Sequence, residues 1–411
     1  MITKASFCLY FTVNTSGTLF AARNGETPVM QCDYTDGTLD FWLLYDFKPD
    51  APLNLTGKAK PGDTICINLF PHRIELYVND ILLDEEWPCG KLLITEQTQL
   101  EDRCCLRIGE PTAEKNRQPD TLAVFQNASG WKPEENVFVG DCMPYVHNGR
   151  YHVLYLKDRH HHTSKWGLGA HQWNHISTND FVNWDIHPMA VPIDRAWEGS
   201  ICTGSWICDG AKHYLFYTVR MCDGSPAKIC RSTSVDGTHF EKDRAFCFTL
   251  NDRYIASSAR DPKVVKDESG VYHMILTTST ASPQRGCLAH LTSTDLTVWQ
   301  DTGEPIFVSD TDLSEPECPD HFYKDGYYYL VYSLHGKGYY QYSKEPFSGW
   351  QKPKDPIIPC KSVPKAGVWH DRLIFTGFDG NGRYAGTMTF LEAFVQENGE
   401  LAYKAFDELT V

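Results

Sequence analysis

A unit of about 60 residues recurs along most of this chain and limits the possible folds more than any other feature. Each copy has an apolar run rich in Val, Ile, Tyr and Thr, a turn of Asp or Asn with Gly, and a second apolar run. Most copies then close with Ser or Thr near an Asp, several of them followed by Trp. Such runs between Asp/Gly turns are typical of β-strands. The copies open at Asp141, Thr203, Asp261 and Glu317, and a fifth, weaker copy surrounds Val368.

A fixed period with several strands in each unit indicates radial repetition, in which each repeat forms a blade of about four strands. Five copies therefore predict a five-bladed β-propeller. The alternative is that these are unrelated strands of one large sandwich. The repeated closing segment disfavours that alternative, because unrelated strands have no reason to share it.

Residues 1–110 follow a different pattern. The segment 73–84 alternates apolar and polar residues around a turn at Asn79 and Asp80, which is typical of a half-buried antiparallel hairpin. It resembles the hairpin of lectin-like β-sandwiches. We therefore expect an all-β chain with an N-terminal β-sandwich accessory domain over 1–110, a linker over 111–130 and a five-bladed propeller catalytic domain over 131–411. The accessory domain either binds carbohydrate or only packs against the propeller, and we favour the second interpretation.

Composition restricts the partners and the compartment. The formal net charge of −15 and the pI of about 5.5 argue against nucleic acid, since phosphate binding needs a basic face. No stretch approaches the roughly 18 apolar residues that a membrane span needs. The 15 cysteines include no Cys-x-x-Cys, and the N-terminal sequence lacks signal-peptide features, which together predict reduced thiols and a cytoplasmic location. We expect no nucleic acid or membrane partner and no cofactor, and the oligomeric state stays open.

The residues that open the repeats carry the chemistry. In a propeller the first strand of each blade lines the central channel, so Asp141, Asp261 and Glu317 are expected to meet in one funnel. Like charges packed together raise one another's pKa, so such a set needs a purpose. Glycoside cleavage uses one ionised and one protonated carboxyl group. The alternative is that each acid is only a turn residue, which fits a single Asp-Pro but not three acids at matching repeat positions.

Several motifs in the same order resemble glycoside hydrolase family 32, the invertase, inulinase and levanase family, which shares its five-bladed propeller clan with family 43. The resemblance runs from about Phe138 to Phe378. The motifs are Arg260-Asp261-Pro262, Glu317-Cys318-Pro319, the tryptophan segment 171–177, the closing segment 177–184 and Thr203-Gly204-Ser205.

The resemblance implies roles for these residues. Asp141 would be the nucleophile and Glu317 the acid and then the base, a double role that we expect to need burial beside Asp141. Asp261 would stabilise the transition state, with Arg260 orienting it. The implied activity is a retaining β-fructofuranosidase acting on a small oligosaccharide, with carboxyl groups ~5–5.5 Å apart.

Two departures from the family stand out. The family's Asn-Asp-Pro-Asn-Gly segment is replaced by Gly140-Asp141-Cys142-Met143-Pro144, so the acid is kept without its asparagine neighbours. The family's sandwich also follows the propeller, whereas here the extra domain precedes it. The alternatives are an inverting arabinofuranosidase or xylosidase similar to family 43, and a sugar-binding propeller without catalysis.

The loop between Asp158 and Trp173 has no counterpart in the other repeats. Its three consecutive histidines, residues 160–162, raise the question of a metal site. Adjacent residues in an extended chain point to opposite faces, so we predict no metal. The predicted substrate-binding residues are Arg159, Trp166, His171 and Trp173 from this loop, together with Thr203, Ser205 and Arg260.

Overall fold

The computed structural model describes residues 6–111, 125–127, 130–133, 137–310, 313–380 and 382–406. Contacts divide the chain into an N-terminal and a C-terminal unit. The N-terminal unit comprises Met1–Arg117, Arg159–Ala170 and Ile193–Gly199, and the C-terminal unit comprises Gln118–Asp158, His171–Pro192 and Ser200–Val411. Two segments that we had assigned to the propeller domain, 159–170 and 193–199, therefore group with the N-terminal unit. Most of the predicted linker, 111–130, lies outside the described residues.

The described part of the N-terminal unit forms two antiparallel sheets. The first has the order β10-β1-β6-β7-β8 and the second β5-β4-β3-β2-β9. The strands are β1 (Phe7–Thr12), β2 (Gly17–Asn24), β3 (Thr27–Thr35), β4 (Thr38–Leu43), β5 (Leu53–Lys58), β6 (Thr64–Phe70), β7 (Arg73–Val78), β8 (Ile81–Glu86), β9 (Gln99–Asp102) and β10 (Arg107–Gly109).

Alternate residues of both sheets enter one hydrophobic core, to which Leu9, Phe20, Phe41 and Leu76 contribute fully buried side chains. The predicted turn joins β7 to β8, and Asn79 and Asp80 both have positive φ angles of 49° and 67°. This is the conformation that two-residue hairpin turns require.

The prediction of a half-buried hairpin is wrong for β7, because every residue of that strand is buried. The polar positions are buried as ion pairs. The Arg73 guanidinium lies 2.9 Å from the Glu75 carboxylate and also contacts Glu85 on β8. A strand can hide both faces when its charges neutralise one another, which the alternation of residue types does not reveal.

The described part of the C-terminal unit contains five antiparallel sheets. The first sheet contains β13 (Phe138–His147), β14 (Arg150–Asp158), β15 (Gln172–Thr178) and β16 (Trp184–Val191), and the second contains β17 (Glu198–Asp209), β18 (Lys212–Met221), β19 (Lys228–Ser234) and β20 (Glu241–Phe248). The third contains β21 (Arg260–Lys266), β22 (Tyr272–Ala281), β23 (Gln284–Ser293), β24 (Gln300–Asp301) and β25 (Phe307–Val308). The fourth contains β26 (Glu317–Lys324), β27 (Tyr327–Leu334), β28 (Lys337–Ser343) and β29 (Ile357–Ile358). Within each sheet the strands pair in chain order, and β25 pairs with β23.

The fifth sheet joins two distant parts of the chain. Its order is β11-β12-β32-β31-β30, and β33 pairs with β32. Its strands are β11 (Phe125–Asn127), β12 (Gly130–Lys132), β30 (Ser362–Trp369), β31 (Arg372–Asp379), β32 (Thr387–Val395) and β33 (Leu401–Ala405). The predicted linker therefore contains β11 and the first residue of β12. Trp131 pairs with Met388, so the start and the end of the unit close one sheet together.

The repeated closing segments form the same turn in three sheets. Thr178, Ser234 and Ser293 each follow the pattern in which the hydroxyl group bonds a carboxylate two residues later. That carboxylate in turn accepts backbone N–H groups, for instance from Val182 to Asp180. The closing Trp184 is buried in a hydrophobic core of the unit.

The first strands of four sheets share a β-bulge. The register shifts between Val139 and Cys142, between Arg260 and Lys263, between Glu317 and Asp320, and between Ser362 and Lys365. Bulges bend a strand and redirect its side chains. In three of them a residue before proline has a positive φ angle: Asp261 (59°), Cys318 (51°) and Val363 (51°). Such conformations cost non-glycine residues roughly 1–3 kcal/mol and cluster at functional sites.

The described residues contain one short helix, α1 (Ser164–Gly167), which belongs to the N-terminal unit. It is too short to cross a membrane, and no other helix occurs in the described part of the chain to do so. Thirteen of the 15 cysteines are free thiols, whereas Cys89 and Cys222 are in the disulfide form. The expectation of fully reduced thiols is therefore not met at these two positions.

Candidate active site

The bulged ends of the first strands bring the three predicted acids together. The strands contact one another in series, β13 with β30, β30 with β26 and β26 with β21. Cys318 links two of the acids: its thiol lies 3.3 Å from Asp141 Oδ2, and its backbone N–H donates to Asp261 Oδ2 at 3.1 Å. Glu317 is the adjacent residue. Carboxylates from the first, third and fourth sheets therefore share one site.

Asp141 is held by donors on both carboxylate oxygens. The Thr203 hydroxyl donates to Oδ2 at 2.5 Å, and the Tyr384 hydroxyl donates to Oδ1 at 3.3 Å. Its side chain is buried, with 8% of the residue exposed. These two donors fix the orientation of the Asp141 carboxylate.

Asp261 lies deeper, with 3% of its surface exposed. Burial raises its pKa to about 6; Arg260 opposes this shift, and the nearby Asp141 and Glu317 add to it. The Arg260 Nε lies 3.6 Å from Asp261 Oδ2, which is an ion pair without a close hydrogen bond. Asp261 is therefore the acid of this site that changes its charge near neutral pH.

Glu317 is the most open of the three acids. Half of its side chain is exposed, and its Oε1 lies 3.0 Å from Arg260 Nη2. The expectation that this residue is buried is wrong, because it occupies the first position of β26, where the strand begins. An exposed carboxyl group at a strand end has access to both a leaving group and a water molecule.

Arg260 is shared between two glutamates. Its Nη1 lies 2.5 Å from Glu315, which also accepts hydrogen bonds at 2.7 Å from the hydroxyl groups of Ser258 and Ser279. Burial opposes the ionisation of Glu315, but Arg260 and these hydroxyl groups outweigh it and lower its pKa. Glu315 therefore acts as the fixed counter-ion that aims Arg260 at Glu317.

Two lysines lie beside the acids. Lys263 pairs with the buried Asp320 at 2.6 Å. Lys365, which is 3% exposed, donates to the carbonyl groups of Pro319 at 2.9 Å and Gly204 at 3.4 Å. These side chains line a cavity of about 250 Å³. Lys365 thus ties the fifth sheet to residues adjoining Cys318 and Thr203, and its charge lowers the pKa of Asp261 against the effect of burial.

The remaining predicted binding residues of the C-terminal unit have different surroundings. His171 pairs with Asp158 at 2.8 Å, and its ring lies 5.0 Å from that of Tyr384, so it adjoins the site. Trp173 is fully buried and donates its indole N–H to the Cys202 carbonyl, which makes it a supporting residue. Ser205 bonds the backbone of β21 at Pro262 and Val264 and likewise acts within the framework.

Arg159 and Trp166 belong to the N-terminal unit. Arg159 pairs with Glu85 at 2.9 Å and its side chain is 3% exposed. Trp166 donates to the Ala51 carbonyl and its ring contacts those of Tyr45 and Phe47. These contacts explain both residues as structural parts of the N-terminal unit. The proposed site therefore does not include Arg159 or Trp166.

A group of histidines in the first sheet is the arrangement most similar to a metal site within the described C-terminal unit. His152, His175 and His187 bring one ring nitrogen each to within 4.8 Å of one another. His152 Nδ1 and His175 Nε2 already lie 3.0 Å apart, and Tyr145 and Ser177 bond His175 and His187. The third sheet repeats this pair as His273 and His290, 2.9 Å apart. Because the pair recurs with the fold, we interpret it as packing between strands.

The consecutive histidines of the long loop are also engaged within the N-terminal unit. His160 lies 2.8 Å from Asp84. Burial opposes its protonation, but Asp84 and Glu86 outweigh burial and raise its pKa to about 9. A protonated imidazole has no lone pair for a metal, so His160 fits an ion pair and not a ligand.

Tyr384 and Lys365 were missed by sequence reasoning. Tyr384 is 243 positions from Asp141 in the chain, in the weakest of the five repeats, and no motif surrounds it. Lys365 follows a bulge that only the structure reveals. The one available signal was the repeat itself, since Ser362-Val363-Pro364 occupies the position of Arg260-Asp261-Pro262.

Comparison with known proteins places these motifs in a family. Residues 125–351 match the family model described as "Glycosyl hydrolases family 32 N-terminal domain". A sucrose-6-phosphate hydrolase of Bacillus subtilis (strain 168) is 32% identical over 197 residues, covering 45% of this chain and 40% of that protein. A raffinose invertase of Escherichia coli is 27% identical over 216 residues, covering 51% of this chain and 42% of that protein. The matched part thus spans less than half the length of these relatives.

Solved structures share the fold. Fructan 1-exohydrolase IIa from Cichorium intybus superposes with a TM-score of 0.54 at 15% identity, covering 72% of this chain and 62% of that one. A family-43 β-xylosidase/α-arabinofuranosidase from a compost microbial metagenome gives a TM-score of 0.51 at 16% identity, covering 66% of this chain and 95% of that one. The propeller fold is therefore common to both groups, whereas the sequence model distinguishes them. Since that model matches more than half of the residues, the chain belongs to glycosyl hydrolase family 32.

Proposed function

We propose that this chain hydrolyses the furanosidic bond of a short fructoside by a retaining mechanism that uses Asp141 and Glu317. The observation that carries the proposal is the convergence of three carboxylates around Cys318, from three sheets that are distant in the chain. Such a concentration of acids, with one fixed by donors and one exposed, is what two-step glycoside cleavage requires.

In the first step Asp141 attacks the anomeric carbon and the glycosidic bond breaks. Its carboxylate is suited to this role because donors fix both oxygens and it faces no cation at hydrogen-bonding distance among the described contacts. The leaving oxygen takes a proton from Glu317. The products are a fructosyl ester of Asp141 and a free alcohol.

In the second step Glu317 accepts a proton from water, the water oxygen bonds to the anomeric carbon, and the ester bond to Asp141 breaks. The exposed position of Glu317 gives water this access. Arg260, held by Glu315, keeps the Glu317 carboxyl group in place between the steps. Asp261, as a carboxylate, accepts hydrogen bonds from the sugar hydroxyl groups and stabilises the positive charge that develops on the ring.

We further propose that the five sheets of the C-terminal unit are the blades of a five-bladed propeller and that the two N-terminal sheets form a β-sandwich. The contacts in series among β13, β30, β26 and β21 support the first proposal. The single core filled from both N-terminal sheets supports the second. A crystal structure of the chain tests both directly.

The substrate class follows from the relatives. Those relatives are named for sucrose 6-phosphate and raffinose, which are short fructosides. We propose a small oligosaccharide of this kind as the partner, with neither nucleic acid nor membrane involved, in line with the net charge of −15. A cytoplasmic location is supported by the thirteen free thiols and opposed by the disulfide form of Cys89 and Cys222, and cell fractionation tests it.

The decisive experiment measures sugar release from sucrose, sucrose 6-phosphate, raffinose and short inulin, beside aryl arabinofuranosides and xylosides. Fructose release that Glu317→Gln abolishes supports the proposal. An aryl fructoside with a good leaving group should still give a burst of one equivalent of phenol in this variant, because the first step then needs no acid.

The configuration of the released sugar distinguishes the retaining family-32 reaction from the inverting alternative. We keep that alternative because a family-43 enzyme shares the fold. Proton NMR spectra recorded within minutes of mixing should show the released sugar in the same anomeric configuration as in the substrate. Pentose release, or a product of inverted configuration, contradicts the proposal. Sugar binding without release from any substrate supports the non-catalytic alternative.

A further inference from the structure

Gly140, the residue before the candidate nucleophile, has an unusual neighbour. A Cβ atom added at Gly140 would lie 2.4 Å from the Tyr384 hydroxyl oxygen, 2.9 Å from Tyr384 Cζ and 3.1 Å from Leu156 Cβ. Real Cβ atoms do not approach oxygen so closely, so a side chain at 140 would displace the tyrosine. The loss of the family's asparagine at this position is therefore what gives Tyr384 its place.

Tyr384 meets Asp141 at two points. Its hydroxyl oxygen accepts the Asp141 backbone N–H at 3.3 Å and its proton is donated to Asp141 Oδ1 at 3.3 Å. One phenol thus bridges the backbone and the side chain of the same residue. Such a bridge restricts the rotation of the carboxylate, while Thr203 holds the other oxygen.

The tyrosine is itself fixed. Two residues after it, Gly386 exchanges a pair of backbone hydrogen bonds with Val139, at 2.9 and 2.8 Å. Its ring lies 5.0 Å from that of His171 and 5.3 Å from that of Phe378. Burial raises the Tyr384 pKa well above its usual range, and Asp141 adds to the effect, so the hydroxyl group remains a donor at working pH.

We propose that Gly140 and Tyr384 are a matched pair in which the tyrosine, supplied by the connection between β31 and β32, orients the Asp141 nucleophile. The inference rests on the proposed function and assigns a positioning residue from outside the segment that matches the family model. It also explains how Asp141 is held without its asparagine neighbours.

The chemistry predicts where Tyr384 acts. Asp141 loses its negative charge when it bonds to the anomeric carbon, and it regains that charge when water breaks the ester. A donor to Oδ1 stabilises the departing carboxylate in this second step.

Tyr384→Phe is the direct test, since it removes one oxygen and keeps the ring between His171 and Phe378. We expect kcat on the best fructoside of the panel to fall by about 10- to 100-fold, as for a lost hydrogen bond to a charged group, with KM changed by less than about twofold. Tyr403→Phe, at a partly buried tyrosine of β33 that packs near Phe375 and has no described contact to Asp141, is the matched control and should change neither.

A double-mutant cycle tests the pairing. Gly140→Ala should lower kcat at least as much as Tyr384→Phe, and the double variant should be no slower than Gly140→Ala, because both remove one contact. Additive effects, or a Tyr384→Phe variant with unchanged kcat, would overturn the proposal.

Failure of the proposed function has a different signature, namely a wild-type chain that releases no sugar from any substrate. The pair is then judged by the crystal structure of Gly140→Ala. A Tyr384 hydroxyl group displaced from Asp141 sustains the matched pair, and one that keeps its contacts rejects it.

Discussion

Each unit of this chain buries carboxylates beside arginine, but with opposite results. In the N-terminal unit Glu75 and Glu85 meet Arg73 and Arg159, so two negative charges face two positive ones, all with side chains at most 3% exposed. In the C-terminal unit Asp141, Asp261, Glu315 and Glu317 gather near a single arginine, Arg260, with Lys365 beside them. The first group is neutral and closed, whereas the second has an excess of negative charge and an open edge at Glu317.

Burial of charge therefore does not by itself identify a functional site. A balanced network satisfies its members and stabilises the fold only when it is complete. An unbalanced one keeps at least one acid with a raised pKa, as for Asp261, and leaves a carboxyl group available to a ligand. Predictions that separate the two groups therefore measure activity for one and stability for the other.

The largest expected effect is on turnover in the C-terminal group. Asp141→Asn and Glu317→Gln should each lower kcat on a natural fructoside by about 10³-fold or more, since nucleophile and general acid are both lost functions. The unfolding midpoint should change little for Glu317, which is half exposed. Steady-state kinetics and thermal unfolding on the same samples check this.

Glu315→Gln is the matched control, because it removes a charge two residues before Glu317 that bonds Arg260 and the serines. Its loss in kcat should stay below about 30-fold, as for a positioning group. Equal losses in all three variants would remove the distinction between reacting and supporting acids.

The next effect is on stability in the N-terminal group. Arg73→Met leaves Glu75 and Glu85 buried without their shared cation, which should lower the free energy of unfolding by about 3–5 kcal/mol. Urea denaturation measures it. Arg23→Met breaks an exposed pair with Glu101 and should cost at most about 1 kcal/mol. A similar cost for both would show that the buried pairs add nothing beyond surface pairs.

Asp261 connects stability with pH. Its folded pKa of about 6 lies above the roughly 3.9 of an unfolded aspartate, so the folded chain holds the proton more tightly. Stability from this group is complete below about pH 4 and is lost as the pH rises through 6. Asp261→Asn should therefore raise the free energy of unfolding by up to about 3 kcal/mol at pH 8 and leave it unchanged at pH 4. Equal shifts at both pH values would contradict the raised pKa.

The same residue should set an acid limb in activity, because its role requires the carboxylate. Lys365→Met removes a charge that lowers the Asp261 pKa, so the limb should move to higher pH, and Lys365→Arg should restore it. The pH profile of kcat/KM is the measurement. Identical profiles for the Met and Arg variants would assign Lys365 to packing alone.

The smallest effect is on the pH dependence of stability and comes from the buried histidines. Burial, with His273 and His321 nearby, lowers the pKa of His290 to about 4, below the roughly 6.5 of an unfolded histidine. Stability is then complete above pH 6.5 and falls as the pH drops towards 4. His290→Gln should lessen that fall by about 2 kcal/mol near pH 5. The exposed His239→Gln is the control and should leave the slope unchanged.

Local patterns predicted much of the fold. The Asp/Gly turns located the first two strands of each of the first four sheets, because turn chemistry acts between residues two to four apart. The same reasoning failed at β7, whose alternating polar residues are buried, since ion pairs across strands are invisible in one strand's sequence. In the fifth sheet it indicated the weak repeat around Val368, but it did not reveal that β12 pairs with β32 from far along the chain.

For the candidate site, the sequence by itself determined which acids open the repeats, since a repeated unit puts equivalent residues at equivalent places. Only the tertiary structure decided how those acids differ: Asp141 is held by Tyr384 and Thr203, Asp261 is buried, and Glu317 is exposed. The physical reason is that the ionisation and reach of a carboxyl group depend on donors, charges and water within a few ångströms. For Asp141 those neighbours lie 62 and 243 residues away in the chain, so no local pattern records them.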